Sequence, residues 1–138
     1  QEASLALQAA RSTGLPVVVS MVFDTGTDKD RTMMGITPEQ AARALTEAGA
    51  DAVGANCGQG IDGFIPICRR MRAVTDLPLW MKANAGLPRV VDGKTVFPMG
   101  PEDFAQRVPL LVEAGASFVG GCCGTGPDHI RAMASLLA

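Results

Sequence analysis

The stretch 47-EAGADAVGANCGQG-60 returns later in the chain as 113-EAGASFVGGCCGTG-126, with nine of fourteen aligned positions identical. Each copy leaves a Glu-Ala-Gly, climbs through small and apolar residues, and stops on Cys-Gly. A short apolar run bounded by glycines reads as a buried strand, and the Glu-Ala-Gly before it reads as the end of a helix. The chain therefore builds one helix-to-strand unit twice and tips each strand with thiols.

Two more runs extend the pattern. "PVVVSMVF" (16–23) and "LPLWMKANA" (77–85) join 51–57 and 117–123 as expected strands. All four are too apolar for one face to meet water, so both faces are expected to be covered, which favours a parallel sheet wrapped by helices. "TPEQAARALTEAG" places Thr37 at N-cap, Pro38 at N1 and Gln40 at N3, a capping-box pattern, with Gly49 as the stop. "GPEDFAQRVPLLVEAG" carries Glu102 and Asp103 in its first turn. Pro109 within it should kink or divide that helix, and Gly115 ends it. "FIPICRRMRAVT" sets Phe64, Ile67, Cys68 and Met71 on one face. In "PDHIRAMASLLA" the same spacing selects Ile130, Met133, Ala134 and Leu137. The opening "EASLALQAARSTG" is helical up to Gly14, and "VVDGKTV" reads as a small hairpin around Asp92-Gly93.

The count is one helix followed by four βα units. Eight such units, about 250 residues, close a barrel; with 138 residues this chain has about half, and periodicity alone does not separate a half-barrel from a small open sheet. The long irregular stretches, 24–36 and 86–100, both follow strand C-terminal ends, where α/β folds carry function.

Composition narrows the class. Hydrophobic residues make up 47% of the chain and net charge is −2. A core is within reach, and there is no electrostatic footprint for nucleic acid or an anionic membrane. No apolar run reaches the roughly 20 residues of a membrane span, and no stretch reads as a signal peptide. A chain opening on Gln1 inside a helical pattern is expected of a piece of something longer. The four cysteines, Cys57, Cys68, Cys122 and Cys123, are expected to be ligands or catalysts in a cytoplasmic setting rather than disulfides.

Cys57 and the Cys122–Cys123 pair all fall at strand C-terminal ends, on one rim of the sheet. A cysteine ending a buried strand is ordinarily a small core hydrophobe. Three on one rim, flanked by glycines, point instead to a soft tetrahedral metal such as zinc, with a fourth position open. Cys68, on an apolar helix face, is expected in the core. His129, the only histidine, is expected at the surface or behind the site. "GTGPD" opens a helix and could cradle a phosphate, although an ordinary helix entry explains it equally well.

"GANCGQG", "NAGLP" and "GGCCGTGPDHI", in that order and spacing, resemble the homocysteine S-methyltransferase family, and within it the homocysteine-binding domain of the cobalamin-dependent methionine synthase branch. The resemblance implies a (βα)₈ TIM barrel of which residues 1–138 are the C-terminal half. It implies zinc held by Cys57, Cys122 and Cys123, and homocysteine bound through its sulfur. Asn84, beside the zinc, would fill the open position before substrate arrives, Asn56 would support the first ligand loop, and Gly121 would line the substrate site. The methyl group would come from methylcobalamin or methyltetrahydrofolate on a corrinoid or folate domain or protein. Gly126 departs from the threonine common in the family, a mild change in capping. The acidic residues that grip the homocysteine amino group belong to the missing first half, and Asp24, at the right rim, matches none of them.

Two readings of other kinds compete. The chain could be a non-catalytic zinc-binding half-barrel that self-associates through its open sheet edges, or its parent could methylate another thiol. Thiol redox chemistry is a further option, but no C-x-x-C motif supports it.

Overall fold

In a computed structural model describing residues 2–137, four strands form one parallel sheet: β1 (Val18–Met21), β2 (Ala52–Cys57), β3 (Leu79–Ala83) and β6 (Phe118–Gly121), in the order β1-β2-β3-β6. The helices α1 (Glu2–Arg11), α2 (Pro38–Glu47), α3 (Ile61–Arg72), α4 (Pro101–Ala105), α5 (Val108–Glu113) and α6 (Pro127–Leu137) connect and flank them. The hairpin β4 (Arg89–Val91) and β5 (Lys94–Val96) pairs antiparallel around Asp92 and Gly93, both at positive φ, as a type I′ turn requires.

Local chemistry accounts for the elements. The Thr37 hydroxyl accepts from the Gln40 amide while the Gln40 side chain accepts from the Thr37 amide, completing the capping box of α2. Gly49, Gly115 and Gly14 follow helix ends at positive φ. Pro109 divides its segment rather than kinking it: α4 ends at Ala105 and α5 restarts at Val108, with the proline in the first turn, where its missing N–H costs nothing. On α3 the expected stripe is the buried one, and the Cys68 thiol lies against the carbonyls of Leu111 and Ala114.

The core lies between the sheet and its helices. Val53, Ala55, Leu79, Met81 and Ala83 alternate onto that face and are buried against Phe64, Met71, Phe104 and Leu111. The other face carries Val18, Ser20, Gly54, Asn56, Trp80, Lys82, Phe118 and Gly120. Here the expectation of two covered faces fails. Phe118 is 48% exposed and Val18 41%, because among the described residues the helices pack on one side only. The Trp80 ring stacks on Phe118 with centroids 4.9 Å apart, a patch of apolar surface on the concave side.

A second correction concerns α6. Ile130 and Leu137 are exposed, as is Ala134, and the buried residues are His129 and Met133. The i, i+4 spacing of the true face was present in the sequence. It was hidden because its first member is polar and is satisfied by hydrogen bonds instead of apolar contact. No helix among the described residues is long and apolar enough to cross a membrane.

Candidate metal centre

All four sheet strands run the same way, so β2, β3 and β6 deliver their C-terminal ends to one rim. Ala83 of β3 is flanked in register by Cys57 of β2 and Gly121 of β6. Strict alternation would point Cys57 with Val53 and Ala55 into the helix layer, away from Cys122, which shares the concave face with Gly120. The backbone at Cys57 breaks that alternation by turning left-handed, with φ 62°. Such a conformation is costly for a residue with a Cβ and concentrates at functional sites. Gly58, also at φ 62°, continues the turn.

The turn brings three sulfurs together. Cys57 Sγ lies 3.2 Å from Cys122 Sγ, and Cys122 Sγ lies 3.9 Å from Cys123 Sγ. All three fall within 4.8 Å of one another. Tetrahedral zinc with Zn–S bonds of about 2.3 Å has S···S edges of about 3.8 Å, so the cluster has the dimensions of a three-thiolate face. The cysteines are unbridged, with Cys57 and Cys122 half-buried and Cys123 exposed. Cys68 is buried elsewhere, held by burial at about 11, and takes no part.

The sulfurs are electrostatically unequal. Burial, then hydrogen bonding with Cys122, pushes the Cys57 thiol up to about 11. Burial also pushes Cys122 up, but hydrogen bonds from Cys57 and Cys123 outweigh it and draw its thiol below the ordinary range.

Polar neighbours fix the geometry. Asn56 Nδ2 donates to Cys57 Sγ at 3.2 Å while its Oδ1 accepts from Ser20 Oγ at 2.7 Å. Asn84 is 8% exposed; its Nδ2 donates to the Gly58 carbonyl at 3.2 Å and its Oδ1 accepts from the Cys123 amide at 3.0 Å. Both ends of the carboxamide are therefore engaged with the cysteine loops. The Oδ1 keeps a second lone pair beyond the one that Cys123 uses. The Thr125 hydroxyl donates to the Cys122 carbonyl at 2.7 Å. A side chain at Gly121 would overlap Thr125, and one at Gly124 would overlap the Phe97 ring.

Sequence reasoning brought Cys57, Cys122, Cys123, Asn56, Asn84 and Gly121 to this rim, and the fold assembles all six there. It missed Ser20, Thr125 and Phe97. Ser20 was findable, since it alternates onto the same face as Asn56, but Phe97 is brought by a loop with no periodicity. Asp24 is exposed and is not one of the three residues of the cluster. At "GTGPD" the Gly126 amide is already taken by His129 Nδ1 at 3.2 Å, which weakens that stretch as an anion cradle.

The chain is similar to known proteins along nearly all of its length. The sequence profile of the family described as homocysteine S-methyltransferase matches residues 1–137. Methionine synthase of Mycobacterium leprae is 33% identical over 126 residues, 90% of this chain and 10% of that protein. Methionine synthase of Mycobacterium tuberculosis is 33% identical over 107 residues, 77% of this chain and 9% of that protein. In apo homocysteine methyltransferase MmuM from Escherichia coli, 97% of this chain superimposes on 45% of that one with a TM-score of 0.72 at 21% identity. An archaeal fructose-1,6-bisphosphate aldolase shares the fold alone, with a TM-score of 0.52. The chain thus spans about a tenth of the curated relatives it matches, and about half of these TIM-barrel structures.

Proposed function

The chain belongs to the homocysteine S-methyltransferase family, and from that premise we propose that it is the C-terminal half of a homocysteine-binding (βα)₈ barrel whose rim holds zinc and presents homocysteine for methylation to methionine. The observation that carries this reading is the meeting of three sulfurs from two separate strand ends within 4.8 Å, achieved by a left-handed backbone at Cys57. Core packing alone gives no reason for that strain.

Bound by Cys57, Cys122 and Cys123, zinc would keep a substrate thiol as the nucleophilic thiolate near neutral pH. The chain's own residues do the rest. Cys57, Cys122 and Cys123 would hold the metal and leave room for the substrate sulfur. Asn56 and Ser20 orient the Cys57 sulfur, and Asn84 ties the two cysteine loops to each other. In the transfer a sulfur–carbon bond forms as the donor–methyl bond breaks, and the thiol proton has already left to solvent. No general base is then required. The methyl group comes from methylcobalamin or methyltetrahydrofolate carried by a corrinoid or folate domain or partner, in a cytoplasmic setting where thiols stay reduced.

The chain by itself is expected to be inactive, because half a rim lacks the other strands' contacts to substrate. A second reading, self-association, is favoured by the free edges of β1 and β6 and by the exposed Phe118 and Val18. Isothermal titration of L-homocysteine into the zinc-loaded and the chelator-stripped protein tests the main reading. Binding that requires zinc supports it, and equal binding without metal sinks it.

A further inference from the structure

Resting on the metal-centre reading above, we propose that His129 is a positioning residue for the Cys122–Cys123 loop, doing at the start of α6 the work that a capping side chain does elsewhere. The loop leaves the cluster at Cys123 and enters α6 through Gly126 and Pro127. Gly126 has no side chain with which to cap the helix, and a helix start leaves backbone N–H groups without partners. Three residues on, His129 Nδ1 accepts from the Gly126 amide at 3.2 Å. This is the reciprocal half of a capping box, with imidazole in the place of Glu or Gln.

That bond assigns the tautomer. A nitrogen that accepts from an amide carries the lone pair, so the proton sits on Nε2, which donates to the Met99 carbonyl at 3.2 Å. The ring is 9% exposed and meets Phe104 edge-on at 5.7 Å. Met99 in turn donates its amide to Ala85 at 3.2 Å, and Ala85 donates to the Cys123 carbonyl at 2.9 Å. Asn84, next to Ala85, accepts from the Cys123 amide. A circuit of hydrogen bonds, closed by the peptide links 84–85 and 125–126, thus runs from the cysteine pair through Asn84 and Ala85 to Met99, His129 and Gly126, and back to Cys122 through Thr125. Within that circuit, His129 is the side chain that ties the loop's exit to the 97–100 segment. Loss of such outer partners costs metal sites roughly 10–100-fold in affinity.

The test is a cobalt(II) titration of the full chain, followed by the thiolate charge-transfer and d–d absorption bands. His129→Leu is expected to bind cobalt at least about tenfold more weakly and with shifted or broadened bands. His129→Gln, which restores an acceptor for the Gly126 amide, is expected within about threefold of the unmodified chain. A purely structural role would lower the melting temperature and leave the band positions unmoved. Unaltered affinity and spectrum in His129→Leu overturn the proposal. So does a folded Gln variant that binds cobalt about tenfold or more weakly than the unmodified chain, which keeps the test decisive if Leu fails to fold. An unmodified chain that takes up no cobalt would overturn the metal centre itself, and His129's part with it.

Discussion

The Oδ1 of Asn84 accepts a hydrogen bond from the Cys123 amide at 3.0 Å, while its Nδ2 reaches the Gly58 carbonyl on the other cysteine loop at 3.2 Å. One buried carboxamide therefore sets the distance between the strand end that carries Cys57 and the one that carries the cysteine pair. Asn84→Ala should leave the buried Gly58 carbonyl without its partner, at about 1–3 kcal/mol, and release the Cys123 amide. We expect a lower melting temperature together with weaker zinc retention against a competing chelator. Zinc retention equal to that of the unmodified chain would falsify the clamp.

Metal content should divide the cysteines three to one. Purified without chelator, the chain should carry close to one zinc. Cys57→Ser, Cys122→Ser and Cys123→Ser should each lose it, and Cys68→Ser should keep it. Elemental analysis with thiol titration reads this directly. Metal retained after loss of any of the three rim sulfurs would remove that residue from the ligand set.

Zinc uptake should release protons and strengthen as pH rises. Cys57 is held up at about 11, so it is protonated at neutral pH and must lose that proton to bind metal. Raising pH from 6 to 8 lowers the proton's competition and should tighten binding. Calorimetry in buffers of different ionisation enthalpy counts the protons, and a pH-independent affinity would contradict the assignment.

Gly124→Ala should disturb the centre without touching a ligand. Gly124 sits at φ 81°, and a Cβ there would overlap the Phe97 ring. The left-handed strain alone costs about 1 kcal/mol, and the aromatic ring must also move. The expected outcome is a destabilised chain with weaker metal retention, and Gly124→Ala paired with Phe97→Ala should recover part of the loss. If the single variant melts and binds as the parent does, the packing of 97–100 on this loop is not significant.

Acid stability should depend on one surface network. Arg70 binds both carboxylate oxygens of Glu39 at 2.6 and 2.9 Å and also reaches Asp30, joining α3 to α2 and to the loop after β1. Its hydrogen bonds, working against burial, hold the Glu39 carboxyl at about 2 rather than 4.5. A depressed folded-state value means that the stabilisation is full above about pH 4.5 and is lost as pH falls toward 2. At about a third side-chain exposure, solvent screening limits it to roughly 1 kcal/mol. Glu39→Gln should therefore lower the melting temperature at pH 6 while flattening its decline between pH 4.5 and 2. A parallel decline in both proteins would place acid sensitivity elsewhere.

Strand and helix identity, the capping box at Thr37, the break at Pro109, the Asp92-Gly93 hairpin and the set of three rim cysteines were all legible in the sequence. They depend on periodicity, turn chemistry and the rule that parallel strands send their C-terminal ends to one side, all of which are local or nearly so. Tertiary structure decided what those rules cannot reach. Alternation alone turns Cys57 away from Cys122, and only the left-handed backbone at 57–58 brings the sulfurs to 3.2 Å. Of the expected stripe Ile130, Met133, Ala134 and Leu137 only Met133 is buried, and His129 joins it because a histidine with both ring nitrogens bonded can be buried where hydropathy expects it outside. The uncovered concave face, with Phe118 and Trp80 stacked on it, followed from where the helices pack, a matter of contacts between distant segments that no local pattern records.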